Sequence, residues 1–332
     1  MKVHFKRLIK NKRENGIALI SVLSLLVIIS LLTATAVTLS QYSALETETV
    51  TERVKARYIA EGALNRSIYF LLNDIHAYTI RKLGIDYAHE AEERYMADNV
   101  IHELAYYHDK VELRIQDALS GLDISGTAPD HVLLEYMKKV ETDMAEYEEF
   151  RDCLNRLLDY VDTDDFIRNG GMEVLHYRQQ NIPILPRNSS LQFKEELLNI
   201  PGLSRYFPAD CEGYLSNIRL IAPKGLRSLG GRSNLYAVPL SMISATCNLN
   251  PMEETMLKTA MQSWCQKRIP LWNNLFPGLL GRLQMAYSTH ESGTYTFLIN
   301  TSGAEAVGIK LRATLRLNTT AKQFEFYEFI FY

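Results

Sequence analysis

The chain opens basic, turns abruptly apolar, and then becomes amphipathic without a break. Lys2, Lys6, Arg7, Lys10, Lys12 and Arg13 precede Glu14-Asn15-Gly16; an uncharged run follows from Ile17 to Leu39, and the next charge is Glu46. A run of about 23 residues is long enough to span a bilayer as a helix. It exceeds the roughly 7–15 apolar residues of a cleaved secretory signal, and Ala34-Thr35-Ala36 is only weakly cleavage-like. Beyond it, Ala44, Leu45, Val50, Val54, Tyr58, Ala60, Ala63, Leu64 and Tyr69-Phe70 recur among charges at roughly helical spacing. That stripe predicts one long helix from Ile17 to about Asn73, its outer half lying against a body. Asn15 is a residue type that caps helices.

Residues 74–110 are rich in His, Tyr and charge, with a further amphipathic pattern. Lys110 to Gln116 alternates polar and apolar and predicts a half-buried strand. Asp117 to Gly126 reads as turns. Helical spacing returns over Pro129–Met144 and Tyr147–Val161, and a loop marked by Gly170-Gly171 follows from Asp165 to Glu173. Ile182–Ser190 is another loop, and Leu191–Leu198 a short helix stopped by Pro201-Gly202. Leu226–Ser233, beside Gly225 and holding Gly230-Gly231, reads as a flexible tie. A helix is predicted at Pro251–Lys267, then strands at Thr294–Asn300, Val307–Leu317 and Gln323–Tyr332, split by Ser302-Gly303 and Asn318-Thr319. The expected class is α+β: an antiparallel sheet of the early strand and the last three, with a helical insertion between them. Such an insertion costs little, because loop closure grows slowly with length.

Charge and composition exclude several functions. The formal charge of −3 leaves no broad basic field for nucleic acid. The basic start before the apolar run places the bulk of the chain outside the cytoplasm. In an oxidising compartment the four cysteines, Cys153, Cys211, Cys247 and Cys265, favour at least one disulfide, with three connectivities open. None is spaced as CxxC, which argues against zinc. No GxSxG elbow, HExxH or GxxxxGK is present, and His102-Glu103 lacks a second histidine, so no enzyme is expected. The histidines at 76, 89, 102 and 108 form no ligand pattern. One cluster has the chemistry of a metal site: Asp162, Asp164, Asp165 and Glu173 put hard oxygen ligands along a glycine-bounded loop. Calcium takes six to eight such oxygens, and carboxylates crowded without a cation repel. Asp159 is a further candidate ligand, although it lies on the helix side, where it can cap or pair. The spacing is not that of an EF-hand.

Two sets of residues carry a family resemblance. Arg13-Glu14-Asn15-Gly16-Ile17-Ala18-Leu19-Ile20 resembles the class III leader junction of type IV pilins and type II secretion pseudopilins. The resemblance implies that a membrane-embedded aspartyl prepilin peptidase cuts after Gly16 and methylates the new amino terminus at Ile17. Major pilins have Phe there, and most place Glu at the fifth mature position, where this chain has Ser21. A carboxylate in hydrocarbon costs about 2.5–3.5 kcal/mol and needs a partner; in a growing fibre, as the family is understood, that partner is the amino terminus of the subunit above. A subunit with nothing above it has no such need, and a missing Glu marks minor pseudopilin K. The second set lies further on. Leu157-Leu158-Asp159-Tyr160-Val161-Asp162-Thr163-Asp164-Asp165 resembles that family's LLDWIDxDD run, and Gly170-Gly171-Met172-Glu173 its GAE. Ile184-Leu185-Pro186-Arg187-Asn188 is similar to PYRPxN. Phe193–Leu198 with Ile200-Pro201-Gly202-Leu203 is similar to SVEELLLVxGM, and Asn248-Leu249-Asn250-Pro251 stands where the family has NVNTA.

On these motifs the chain is similar to the minor pseudopilin K (GspK) family. The resemblance implies a pilin-like long N-terminal helix on an antiparallel sheet with a large inserted all-helical domain. Its parts would be a leader over 1–16, a transmembrane helix over 17–40, a helix and first strand over 41–121, the insert over 122–242, and a helix with C-terminal strands over 243–332. It further implies a single-pass inner-membrane protein with a periplasmic bulk and a calcium-binding habit. Minor pseudopilins I and J, the prepilin peptidase and the inner-membrane secretion platform would be its partners. The expected role is a fibre tip that nucleates assembly. The alternative is an X-type minor type IV pilin acting in adhesion or pilus assembly. Such proteins usually keep the fifth-position Glu and lack a helical insert with these motifs.

Overall fold

The helix expected from Ile17 extends in both directions: in the computed structural model α1 runs Lys2–Ala77. The structure describes residues 2–78, 81–84, 94–106, 109–118, 122–124, 144–207, 209, 215, 218–219, 234–301, 308–318 and 323–332. The readings at Cys211, His89 and His108, the helix expected over 129–143, the Leu226–Ser233 tie and the Ser302-Gly303 break lie outside them. The chain divides into two units, the first chiefly α1 up to Arg57, the second beginning at Tyr58.

In the first unit the apolar run is bare. From Leu19 onward α1 is long and apolar enough to cross a membrane, and none of its apolar window is buried. Its hydroxyls turn inward on the helix: Thr33 donates to Ile29 O at 2.6 Å, Thr35 to Leu32 O at 2.9 Å and Thr38 to Ala34 O at 3.2 Å. A helix in hydrocarbon must satisfy its polar groups internally, and these threonines do so. This fits a single-pass anchor.

The second unit has two apolar cores. The first joins α1 to a five-stranded sheet. Ala60, Ala63, Leu64, Ile68 and Leu71 are buried at the three- and four-residue steps of one helix face, and Ser67, buried among them, donates to Ala63 O at 2.6 Å. Small residues let the helix lie close to the strands. The sheet is antiparallel, in the order β1-β2-β5-β6-β7, with β1 Asp98–Tyr106, β2 Asp109–Asp117, β5 Thr294–Asn300, β6 Lys310–Asn318 and β7 Gln323–Phe331. Leu113 pairs with Ile299, Ile115 with Phe297, and Phe297 with Ala313, so alternate positions of three central strands line one buried face. β1 lies in the stretch whose sequence pattern announces no strand. A register shift between Asp98 and Ile101, with Asn99 at φ 62°, interrupts the two-residue alternation there.

The second core is helical. α2 (Met144–Val161) buries Phe150, Cys153, Leu154, Leu157, Tyr160 and Val161; α3 (Val174–Gln179), a 3-10 turn at Lys194–Asn199 and α4 (Leu203–Tyr206) follow. A short parallel pair, β3 (Leu122–Asp123) with β4 (Ile218–Arg219), stands apart from the main sheet. α5 (Leu240–Cys247), α6 (Pro251–Lys267) and α7 (Pro277–Ala286) complete the body. Leu154, Leu157, Leu197, Ile243, Leu257, Trp264, Leu279 and Leu283 share one cluster, so this core continues across position 242 as far as Tyr287. The join between α5 and α6 explains the Asn-Leu-Asn-Pro motif. Asn248 takes a left-handed conformation that ends α5, and Asn250 caps α6 by accepting from Glu253 N at 2.9 Å while the Glu253 carboxylate accepts from Asn250 N at 3.1 Å. Pro251 occupies the first turn, where a missing N–H costs nothing.

Candidate functional site

The motif residues of the central segment converge on the C-terminal end of α2. Tyr160 O accepts from the backbone N–H groups of both Arg187 and Asn188, each at 3.0 Å. Arg187 Nη1 pairs with Glu196 at 2.9 Å, and the other Glu196 oxygen accepts from Gln192 N and Phe193 N at 2.8 and 2.9 Å. The proline loop and the 3-10 turn are thereby fastened to the helix that carries the carboxylates.

Asp159 and Asp162 sit in the last turn of α2 and just beyond it; the chain loops back through Gly170-Gly171 to bring Glu173, the residue before α3, against them. Carboxylate oxygens of Asp159, Asp162 and Glu173 lie within 4.8 Å of one another. Asp159 and Glu173 are buried and Asp162 is half-buried. The glycine pair makes the approach possible. A side chain at Gly171 would put its Cβ 1.9 Å from Asp159 Oδ2, and Gly170, at φ +76°, would meet Asp152.

Negative groups at a helix C-terminus face the negative end of its dipole, so this cluster calls for a cation. Arg168 supplies one. Its Nη1 donates to Asp159 Oδ1 at 2.6 Å and to Asp162 Oδ2, and its backbone N–H donates to Asp159 Oδ2 at 3.2 Å. Those carboxylates hold the guanidinium above its ordinary pKa, the hydrogen bond to Asp162 first. Asp162 Oδ1 and both oxygens of Glu173 are buried without a hydrogen-bond partner. Burial, reinforced by Asp159 and Asp162, pushes the Glu173 carboxyl up to about 7. Orphaned buried oxygens of the hard type, gathered on one point, fit a calcium ion. Asp159, Asp162 and Glu173 would hold it.

Of the four acids in the sequence pattern, the fold brings Asp162 and Glu173 together. Asp164 and Asp165 are exposed on the intervening loop, where Asp164 accepts from Phe166 N at 2.9 Å and so stabilises the turn. Asp159 joins the cluster although its place on a helix suggests a cap or pair. The loop's reversal at Gly170-Gly171, not local spacing, sets that geometry. Among the described residues no disulfide joins Cys153, Cys247 and Cys265 to one another. Cys153 packs against Gly202, and Cys265 points its sulfur at Asp98 O, 4.0 Å away. His102 is buried and stacks on Tyr95, with ring centres 4.6 Å apart; His76 is exposed on α1.

In the first unit the backbone is helical across Gly16-Ile17. Ser21 lies on the exposed apolar stretch of α1, near Leu19 and Ile20, which are 66% and 68% exposed.

A chain in the crystal structure of the GspK-GspI-GspJ complex from the enterotoxigenic Escherichia coli Type 2 Secretion System superposes with a TM-score of 0.54 over 86% of this chain and 99% of that one, at 11% identity. The chain has a GspK-like fold. At that identity the likeness is one of fold. No protein-family model matches the sequence, and no curated protein does.

Proposed function

We propose that this protein is a minor pseudopilin of a type II secretion system, placed at the tip of the pseudopilus, where it nucleates the fibre with pseudopilins I and J. The observation that carries the reading is the GspK-like fold, which extends over nearly all of a chain crystallised in the GspK-GspI-GspJ complex. The Gly16-Ile17 junction supports processing by a prepilin peptidase, with methylation of Ile17. Ser21 supports the summit position, since a subunit with no neighbour above it needs no acid in the membrane. The helical body would add bulk that forbids a further subunit on top. The role is structural, with the inner-membrane platform as the assembly's base and a periplasmic bulk.

We further propose that Asp159, Asp162 and Glu173 bind calcium. The ion would neutralise carboxylates at the end of α2 and tie the loop from Asp162 to Glu173 to the helical body.

Co-expression of the full chain with pseudopilins I and J, followed by affinity purification, tests the main proposal. Recovery of all three in equal amounts is expected, and deletion should abolish export of folded periplasmic proteins while leaving pili intact. Loss of adhesion with export unchanged would instead identify an X-type minor pilin.

A further inference from the structure

We propose that Arg168 is an internal counter-ion: it occupies the carboxylate cluster in the metal-free protein and leaves when a divalent cation enters. The inference rests on the calcium reading of the same cluster and adds what regulates it. The oxygens divide into two groups. Arg168 engages both oxygens of Asp159 and Asp162 Oδ2, whereas Asp162 Oδ1 and the two Glu173 oxygens have no partner. Calcium takes six to eight oxygens, waters included, and release of Asp159 Oδ1 and Asp162 Oδ2 by the guanidinium would raise the unpartnered carboxylate oxygens from three to five. A divalent ion on Asp159 and Asp162 would also stand beside a positive charge bonded to the same two carboxylates. Both cannot hold those oxygens.

The surroundings give the guanidinium a way out without unfolding the loop. The Arg168 side chain is 37% exposed, against 0% for Asp159. Its backbone is fixed at both polar atoms: the N–H donates to Asp159 Oδ2, and the carbonyl accepts from Gly171 N at 2.8 Å. The side chain can therefore swing to solvent while the turn that presents Glu173 stays in place. The cluster is never left as bare acids, because one cation replaces another. Apparent calcium affinity is then the intrinsic affinity multiplied by the fraction of molecules in which Arg168 is already out.

The test is calorimetric titration of calcium chloride into the full chain in detergent, stripped with chelator, for the parent protein, Arg168→Gln and Arg168→Lys. Melting temperatures are measured with and without calcium. Arg168→Gln should bind calcium about tenfold tighter. It should melt lower than the parent without calcium and gain more on adding it. Arg168→Lys, which keeps the charge but not the fork, should fall between the two. If the parent binds calcium and Arg168→Gln binds it equally or more weakly, Arg168 supports the ligand set and the proposal is overturned. Should Arg168→Gln not fold, Arg168→Lys decides on the same criterion. Absence of binding to all three would remove the calcium reading itself, a result distinguishable from failure of the exchange.

Discussion

Replacing Glu173 with Gln isolates the electrostatic load at the end of α2. The carboxyl is pushed from its ordinary 4.5 up to about 7 by burial and by Asp159 and Asp162. A rise of that size corresponds to about 3 kcal/mol, at ~1.4 kcal/mol for each pKa unit. The sign follows from the direction. The folded protein holds a proton that the unfolded chain has released, so stability falls as pH rises from about 4.5 to about 7 and is level above. Glu173→Gln removes that loss. Its amide can also donate to Asp162 Oδ1, which lacks a partner. Against this, burying an amide imperfectly costs about 1 kcal/mol. The metal-free variant should therefore be about 1–3 kcal/mol more stable than the parent at pH 8 and no more stable at pH 4. Urea unfolding with chelator present, followed by tryptophan fluorescence, reads this directly, since Trp264 is fully buried in the helical core. Calcium should stabilise the parent and not the variant. A variant weaker than the parent at pH 8, or a difference that ignores pH, would refute the reasoning.

Other consequences can be checked more briefly. Gly171→Ala places a methyl 1.9 Å from Asp159 Oδ2; it should cost about 1–3 kcal/mol and weaken calcium binding, and unchanged melting and affinity would count against the packed turn. Trp264→Ala should lose about 3–5 kcal/mol in denaturant unfolding, as befits a side chain with no exposure in the helical core. Burial raises the Cys265 thiol to about 11, so at pH 8 it should alkylate on the order of a hundredfold more slowly than an ordinary cysteine until the protein unfolds. Ser21→Glu should hinder fibre initiation or be silent; stronger assembly would contradict the absence of a neighbour above it.

The sequence shows its long-range design unevenly. α6 occupies the Pro251–Lys267 span that its cap and apolar spacing announce, and β5 the span Thr294–Asn300, because local signals there agree with the tertiary packing. β1 is concealed by its bulge, and α7 by Gly278 and Gly281, whose weak helix propensity is outweighed by the burial of Leu279 and Leu283. In the carboxylate cluster the oxygen-bearing side chains of Asp162 and Glu173 are legible, and their convergence is not. The part of Arg168 is not, because a basic residue in an acidic loop reads as solvated until the turn closes and sets it between two acids. Asp159 stands among the sequence candidates, but its place on a helix gives no sign that it faces Glu173. The wide separation of Arg187 and Glu196 from the helix end they brace likewise becomes meaningful only in three dimensions.

The pairing of β2 with β5, Asp117 opposite Tyr295, has a consequence for biogenesis. The chain is synthesised amino end first, yet β2 meets its central neighbour only after the whole stretch from Asp117 to Thr294 has been made. Until then an apolar hairpin, β1 and β2, must wait with one flank unzipped. The intervening helical body, much of whose core comes from residues between Phe150 and Leu283, can condense first. It would then keep the two halves of the sheet within reach of each other, a scaffold for the last act of folding.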